Sequence, residues 1–295
     1  MRLLLASWDD ILKETQAEPS AFDVIRRKYL KRLSEHRNRN VIAYYSGWLE
    51  KQDSPSASIS DADMTGFMTC VHGLDCNKGL DLILHTPGGD PTAAEAIVSY
   101  LRDKFNNNIE VIVPHLAMSA GTMMACAGKK IIMGRQSSLG PIDPQFSGIS
   151  AYSIQKEFEQ AKSDLAQNPA NQSLWAIRLS QFPAAFLQVA IEAIDLSNDL
   201  LRAWLSSCMF GEDDNETIET IIEHLNEHEE SKNHGRHLNA EKCRQIGLKI
   251  DMMEDDDNLQ DAILSVHHAY AITLNNTGVG KIIENQNGTA FISRG

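Results

Sequence analysis

The spacing of apolar residues changes period twice in the central part of the chain. Leu80 to His85 and Ile109 to Val113 are short apolar runs bounded by glycine, proline or asparagine, as buried strands are. Between them, Pro91 opens a segment whose apolar positions recur at helical spacing, and Asp90 stands where an N-cap residue is expected. This succession of strand, glycine turn and helix predicts an α/β protein with parallel strands.

The flanking sequence predicts further elements around this centre. Helices are expected over residues 8–37, from Asp61 or Asp63 towards His72, over much of 150–230 and near 259–274. Strands are expected at residues 41–48, 130–133 and 248–250. A hairpin is expected at residues 282–292, with its turn at Asn287-Gly288. We therefore expect a helical N-terminal extension over residues 1–37 and a core over 38–255. The C-terminal helix and hairpin, residues 256–295, should pack on the core or on a neighbouring subunit.

Composition and charge exclude several classes of protein. The 295 residues are 42% hydrophobic and 23% charged, which suits a globular protein with a substantial core. The net charge of −13, without a basic stripe, opposes nucleic-acid binding. Five cysteines without C-x-x-C spacing favour neither a disulfide framework nor a cysteine zinc site. Neither a signal-peptide apolar region nor a membrane span is found, so we expect a cytoplasmic protein.

Ser119 is the first candidate for catalysis. It follows a strand and begins a helix of small residues, where its hydroxyl would be exposed beside free helix N–H groups. Gly88 and Gly89 end the preceding strand, and parallel strand ends meet at one edge of a sheet. One of their N–H groups, with that of Ala120, would form an oxyanion hole. Taken singly, these features are also explained by an N-cap serine and a tight turn.

Three segments, TPGGD, VPHLAMSAGT and SSLGPIDPQF, together resemble the serine dehydrogenase proteinase family, a relative of signal peptide peptidase A and of the Clp protease proteolytic subunit. The resemblance implies a Clp/crotonase-like right-handed spiral of β-β-α units, to which the sequence pattern adds helical extensions at both ends. It also implies peptide-bond hydrolysis through an acyl-enzyme, in a homo-oligomer of three, six or seven subunits. It places Ser119 on the nucleophile and Gly89 and Ala120 on the oxyanion positions, with Gly88 as their neighbour.

The general base is left open by the sequence. Where the Clp subunit carries a histidine, this chain has Asp143. Signal peptide peptidase relatives use a lysine, for which Lys156 is the candidate. His234 lies next to the position of the Clp catalytic aspartate and is the second candidate, with Asp143 orienting it. Lys156 and His234 are also explained as ordinary surface residues.

Parts of the sequence also fit other functions. His224, Glu227 and His228 fit the zinc-peptidase pattern H-x-x-E-H, although a third ligand is not evident and the stretch is acidic. A catalytically silent scaffold and a crotonase-like enzyme for acyl-thioesters are the remaining alternatives. We expect a peptide or unfolded protein as substrate, and neither a cofactor nor a metal. The motif G-x-x-x-x-G-K-[ST] is absent, so any unfolding ATPase or adaptor would be a separate chain.

Overall fold

A computed structural model describes residues 7–16, 21–51, 54, 56–226 and 235–294. Its strands are β1 Asn40–Ser46, β2 Leu80–His85, β3 Ile109–Val113, β4 Leu116–Ala117, β5 Ile131–Met133, β6 Ser138–Leu139, β7 Gln145–Phe146, β8 Ile149–Ser150, β9 Leu238–Asn239, β10 Ile250–Met252, β11 Val279–Asn285 and β12 Ala290–Arg294. Seven of them form the central sheet, in the order β10-β5-β3-β2-β1-β11-β12. The pairs from β10 to β1 are parallel, and β11 is antiparallel to both β1 and β12. This mostly parallel sheet agrees with the predicted α/β class.

The described helices cover both faces of the sheet. They are α1 Trp8–Thr15, α2 Ala21–Arg37, α3 Ala62–Val71, α4 Pro91–Phe105, α5 Ala120–Cys126, α6 Ala151–Gln167, α7 Gln172–Leu179, α8 Phe186–Trp204, α9 Asn215–Asn226, α10 Ala240–Gln245 and α11 Asp257–Asn276. One apolar core includes residues of α3, α4, α5 and α9, and a second includes residues of α1, α2 and α11. A third, smaller core joins α6 to α8. Among the described helices, none is both long enough and apolar enough to cross a membrane.

Local signals explain why α4 lies where the pattern predicts it. The Asp90 carboxylate accepts the backbone N–H of Thr92, and Pro91 occupies the first helical turn. Asn106 ends the helix in the left-handed conformation, with φ of 50°. Helix α4 therefore begins directly after the glycine pair at the end of β2.

The strand predicted at residues 248–250 is displaced towards the C-terminus. The Leu248 N–H donates to the Cys243 carbonyl and so closes the turn after α10, which leaves Leu248 outside the sheet. Pairing with β5 aligns Ile250 with Ile131, and β10 extends to Met252. The prediction was therefore wrong in its bounds because a helix-terminating hydrogen bond uses its first residue.

The C-terminal hairpin belongs to the central sheet. Strand β11 pairs with β1, turns at Asn287 and Gly288 as predicted, and returns as β12. Gly288 has φ of 82°, a conformation that glycine adopts without steric cost. Helix α11 packs against α2 on one face of this sheet. The division into extension, core and C-terminal part stays a prediction, as does the right-handed spiral.

Candidate active site

Ser119 lies at a sharp turn between β4 and α5. The Met118 N–H donates to the Thr86 carbonyl at 3.0 Å, and the Thr86 N–H donates to the Leu116 carbonyl at 3.1 Å. These two bonds hold the turn against the end of β2. Ser119 has φ of 52° and ψ of −122°, and its side chain does not cap the helix. A residue other than glycine is seldom found with positive φ, so this backbone is strained, as it often is at functional sites.

The glycine pair after β2 faces this turn. Gly88 has φ of 96° and Gly89 has φ of 153°. A Cβ atom on Gly88 would lie 2.7 Å from the Ser119 Cβ and 3.1 Å from the Ala120 nitrogen. A Cβ atom on Gly89 would lie 2.3 Å from the Ile59 nitrogen. Both positions therefore require glycine. A side chain at residue 88 would collide with the Ser119 turn, and one at residue 89 would collide with the backbone of Ile59.

The backbone N–H groups around Ser119 differ in their use. The Gly88 N–H donates to the Thr86 hydroxyl at 3.1 Å. Within the part of the chain that the structure describes, the N–H groups of Gly89 and Ala120 have no acceptor. These two donors are the ones that the family resemblance places at an oxyanion hole, whereas the Gly88 N–H donates to Thr86.

A hollow of about 580 Å³ opens in front of Ser119. Its lining comes from the glycine turn, from α5, from the segment before β8 and from α8: Ser58, Pro87, Gly88, Gly89, Pro91, Ser119, Ala120, Met123, Ile142, Pro144, Gln145, Phe146, Gly148, Ala193 and Ser197. Apolar side chains such as Met123, Ile142 and Phe146 make up much of it. The volume is in the range of ligand-binding clefts.

Asp143 lies beside this hollow. It is buried, and its carboxylate accepts a hydrogen bond from the Gln145 amide at 2.6 Å. Its neighbours in sequence, Ile142 and Pro144, line the hollow. Burial raises the pKa of Tyr152, and the negative charge of Asp143 contributes to that rise. Asp143 is therefore positioned between the Ser119 hollow and the first turn of α6.

The described contacts do not test the two candidate bases. Lys156 is exposed on α6 and lines a second hollow of about 710 Å³, together with Tyr152 and Asn198. His234 lies outside the described residues. Among the side chains that are described, none forms a hydrogen bond with the Ser119 hydroxyl. The identity of the base therefore stays a prediction.

The pattern that suggested a zinc peptidase is only partly visible. His224 lies on α9, while Glu227 and His228 fall outside the described residues. Over residues 7–16, 21–51, 54, 56–226 and 235–294, no three His, Cys, Asp or Glu side chains are placed to hold a metal ion. The zinc-peptidase alternative is therefore not tested by the described residues.

Sequence reasoning missed a cluster of histidines at the same edge of the sheet. The rings of His85, His115 and His267 lie with their centroids 5.4 to 5.6 Å apart, and Trp48 packs on His85 at 4.4 Å. Burial lowers the pKa of His85 well below its ordinary value, and lowers the pKa of His267 to about 3. The sequence signal was a histidine at the end of a buried strand. The cluster lies on the α11 face of the sheet.

Fold and site together define a class of protein. An α/β sheet presents a strained serine at a strand-to-helix turn and opposite a glycine pair, as a nucleophile turn does. Two N–H groups beside it have no acceptor among the described residues. The chain belongs to the family of ClpP-like SDH-type serine proteinases, whose model matches residues 11–255. This confirms the family suggested by the sequence and supports a peptidase.

Two relatives from Methanocaldococcus jannaschii are similar to parts of the chain. The uncharacterized protein MJ0137 is 34% identical over 165 residues, which are 54% of this chain and 56% of that protein. The uncharacterized protein MJ1495 is 44% identical over 75 residues, which are 25% of each chain. The matched region therefore spans little more than half the length of the first relative and a quarter of the second.

Proposed function

We propose that this protein is a serine endopeptidase that cleaves peptide bonds through an acyl-enzyme on Ser119. One observation carries the proposal: Ser119 is held with φ of 52° in a hollow where the N–H groups of Gly89 and Ala120 have no acceptor among the described residues. A strained serine beside two unused donors has little structural purpose and a clear catalytic one. Membership in a serine proteinase family supports it.

The chemistry follows from this geometry. The Ser119 oxygen attacks the carbonyl carbon of the substrate, while a general base takes the serine proton. The carbonyl oxygen becomes negative and is stabilised by the N–H groups of Gly89 and Ala120, which have no acceptor among the described residues. Collapse of this intermediate breaks the C–N bond, and the amine leaves with the proton held by the base. Water then hydrolyses the ester on Ser119 and restores the enzyme.

The substrate and assembly belong to the same proposal. A peptide or an unfolded protein segment can enter the hollow from solvent. We propose a homo-oligomer, as a trimer, hexamer or heptamer, in which a separate ATPase or adaptor delivers substrate. The ClpP-like family supports this assembly. Light scattering on the purified protein would test it, and a strictly monomeric protein would contradict it.

A fluorophosphonate probe tests the nucleophile directly. We expect the wild-type protein to be labelled and Ser119→Ala to be unlabelled, because only an activated serine reacts with this reagent. Ser197→Ala is the matched control, since Ser197 lines the same hollow and should leave labelling intact. A chelator should have no effect. Absence of labelling at every pH would favour a catalytically silent scaffold, and loss of peptidase activity with a chelator would favour the zinc peptidase.

The pH dependence of labelling identifies the base. A histidine base predicts a rate that rises around pH 6 to 7, near its ordinary pKa of about 6.5, whereas a lysine base predicts a rise at higher pH. We therefore compare Lys156→Met with His234→Gln, each of which should slow labelling by about 10²- to 10⁴-fold if it removes the base. Lys162→Met, on the same helix as Lys156, is the control. Wild-type rates in both variants would exclude both residues.

A further inference from the structure

Lys281 in β11 is a buried cation close to the glycine turn. Its ammonium donates to the Asp63 carboxylate at 2.7 and 2.8 Å and to the Ser58 carbonyl at 2.7 Å. Only 3% of the Lys281 side chain and 2% of the Asp63 side chain are exposed. Burial lowers the pKa of Lys281, and Asp63 opposes that effect. Because burying a charge is costly even when it is paired, such a pair suggests a purpose other than stability.

One route from Lys281 to the active site runs through the backbone after Ser58. The next residue, Ile59, donates its N–H to the Gly88 carbonyl at 2.8 Å and accepts the Asp90 N–H at 3.0 Å. Ile59 also lies where a Cβ atom on Gly89 would be. The position of this segment therefore fixes the glycine turn from one side.

Asp63 also binds a side chain of the central sheet. The Tyr44 hydroxyl in β1 donates to the Asp63 carboxylate at 2.9 Å. Burial raises the pKa of Tyr44 well above its ordinary value, and the negative charge of Asp63 adds to that rise. Asp63 is therefore fixed between Lys281 and Tyr44, while the backbone route from Lys281 ends on Gly88, which precedes the proposed oxyanion donor Gly89.

We propose that Lys281 and Asp63 are positioning residues for the oxyanion hole. They hold the turn of Gly88 and Gly89 so that the Gly89 N–H lies beside Ser119. This inference rests on the proposed function of Ser119. Lys281 lies outside residues 11–255, which the family model matches, so the family model does not include it.

The rate of fluorophosphonate labelling tests this role. Lys281→Met should lower the maximal inactivation rate by about 10- to 100-fold, somewhat less than the 10²- to 10³-fold that loss of an oxyanion donor costs. The half-saturating probe concentration should change much less than the rate, because the apolar lining from Met123, Ile142 and Phe146 does not contact Lys281. Lys51→Met is the control: its ammonium donates to the Leu274 carbonyl in α11 and to the Val279 carbonyl at the start of the same hairpin, and no bond to Asp63 is found among the described residues.

A double variant separates positioning from stability. Lys281→Met alone leaves Asp63 buried without its cation, which can unfold the protein. Lys281→Met with Asp63→Asn leaves neither charge behind, so we expect a folded protein by circular dichroism that still labels slowly. A folded double variant with the wild-type inactivation rate would overturn the proposal.

Hydrogen exchange supplies a readout that does not need activity. In Lys281→Met and in the double variant, a peptide covering residues 86–90 should exchange faster, while one covering β3 stays protected. Unchanged exchange at residues 86–90 would also overturn the proposal. If the wild-type protein is never labelled, the proposed function fails, and the exchange experiment still decides whether Lys281 holds the turn.

Discussion

At the scale of single residues, the site depends on backbone conformations that are costly elsewhere. Ser119 keeps a positive φ because Met118 is bonded on both sides, to Thr86 through its N–H and to Gly121 through its carbonyl. Strain of this kind costs about 1–3 kcal/mol and persists only where the surroundings enforce it. The end of β2 supplies that enforcement.

Gly89→Ala should remove activity and destabilise the protein. The new Cβ would lie 2.3 Å from the Ile59 nitrogen, so the chain must move and carry the Gly89 N–H with it. We expect a labelling rate lower by at least about 10²-fold and a lower melting temperature. Gly73→Ala is the matched control, because Gly73 has φ of 79° but open space around it. Its cost should be limited to about 1 kcal/mol of backbone strain, without loss of labelling. Equal labelling in the two variants would contradict this account.

The serine turn could be predicted from the sequence, whereas the buried pair behind the glycine turn could not. Ser119 and the glycine pair are one βα unit apart, and strand-end convergence is a general rule, so their proximity was predictable. The Lys281–Asp63 pair was not, because 218 residues separate its members. Lys281 directly precedes the predicted hairpin, where a lysine is more often a solvent-facing residue. Pairing of β11 with β1 is what buries it.

At the scale of elements, local signals set what could be predicted. Strand β2 is a continuous apolar run, and helix α4 has apolar residues at helical spacing, an N-cap residue and a proline in its first turn. These signals all lie within one segment of the sequence. The pairs β4–β6 and β6–β9 align only two residues each. Two residues do not show a period, so the sequence did not indicate them. These short strands nonetheless hold the turn on which Ser119 lies.

The packing of α3 on the C-terminal hairpin can be tested at Gly66. Glycine to alanine normally stabilises a helix by about 1 kcal/mol. Here a Cβ atom would lie 2.5 Å from the Ile283 side chain and 3.1 Å from Phe291. We therefore expect Gly66→Ala to lower the free energy of unfolding by about 1–3 kcal/mol, as overpacking does. Denaturant unfolding measures it. Gly278→Ala, with open space around it, should be nearly neutral, and a stabilised Gly66→Ala would show that α3 does not pack this tightly.

At the scale of the whole molecule, the histidine cluster should make stability depend on pH. The pKa of His267 is lowered to about 3, first by burial and then by His115 and His268. The unfolded chain binds a proton near pH 6.5, so stability is complete above that value and falls as the pH decreases towards the folded pKa. We expect a loss of about 2 kcal/mol from this group between pH 6.5 and 4.5.

His267→Phe should flatten that acid dependence. Phenylalanine keeps an aromatic ring among His85, His115 and Tyr45 but cannot be charged. Chemical denaturation at pH 7 and at pH 4.5 measures the difference. His72→Phe, at an exposed position, is the control and should leave the slope unchanged. An equally steep acid dependence in His267→Phe would exclude this histidine as its source.

The place of β11 beside β1 has a consequence for shortened forms of the protein. A chain ending at residue 255, where the family match stops, would lack β11 and β12 and would expose the whole hydrogen-bonding edge of β1. All seven residues of β1 are buried in the complete sheet. A long apolar edge of this kind recruits strands from other molecules, which leads to aggregation. The hairpin therefore acts as a built-in cover that keeps the sheet from growing between copies.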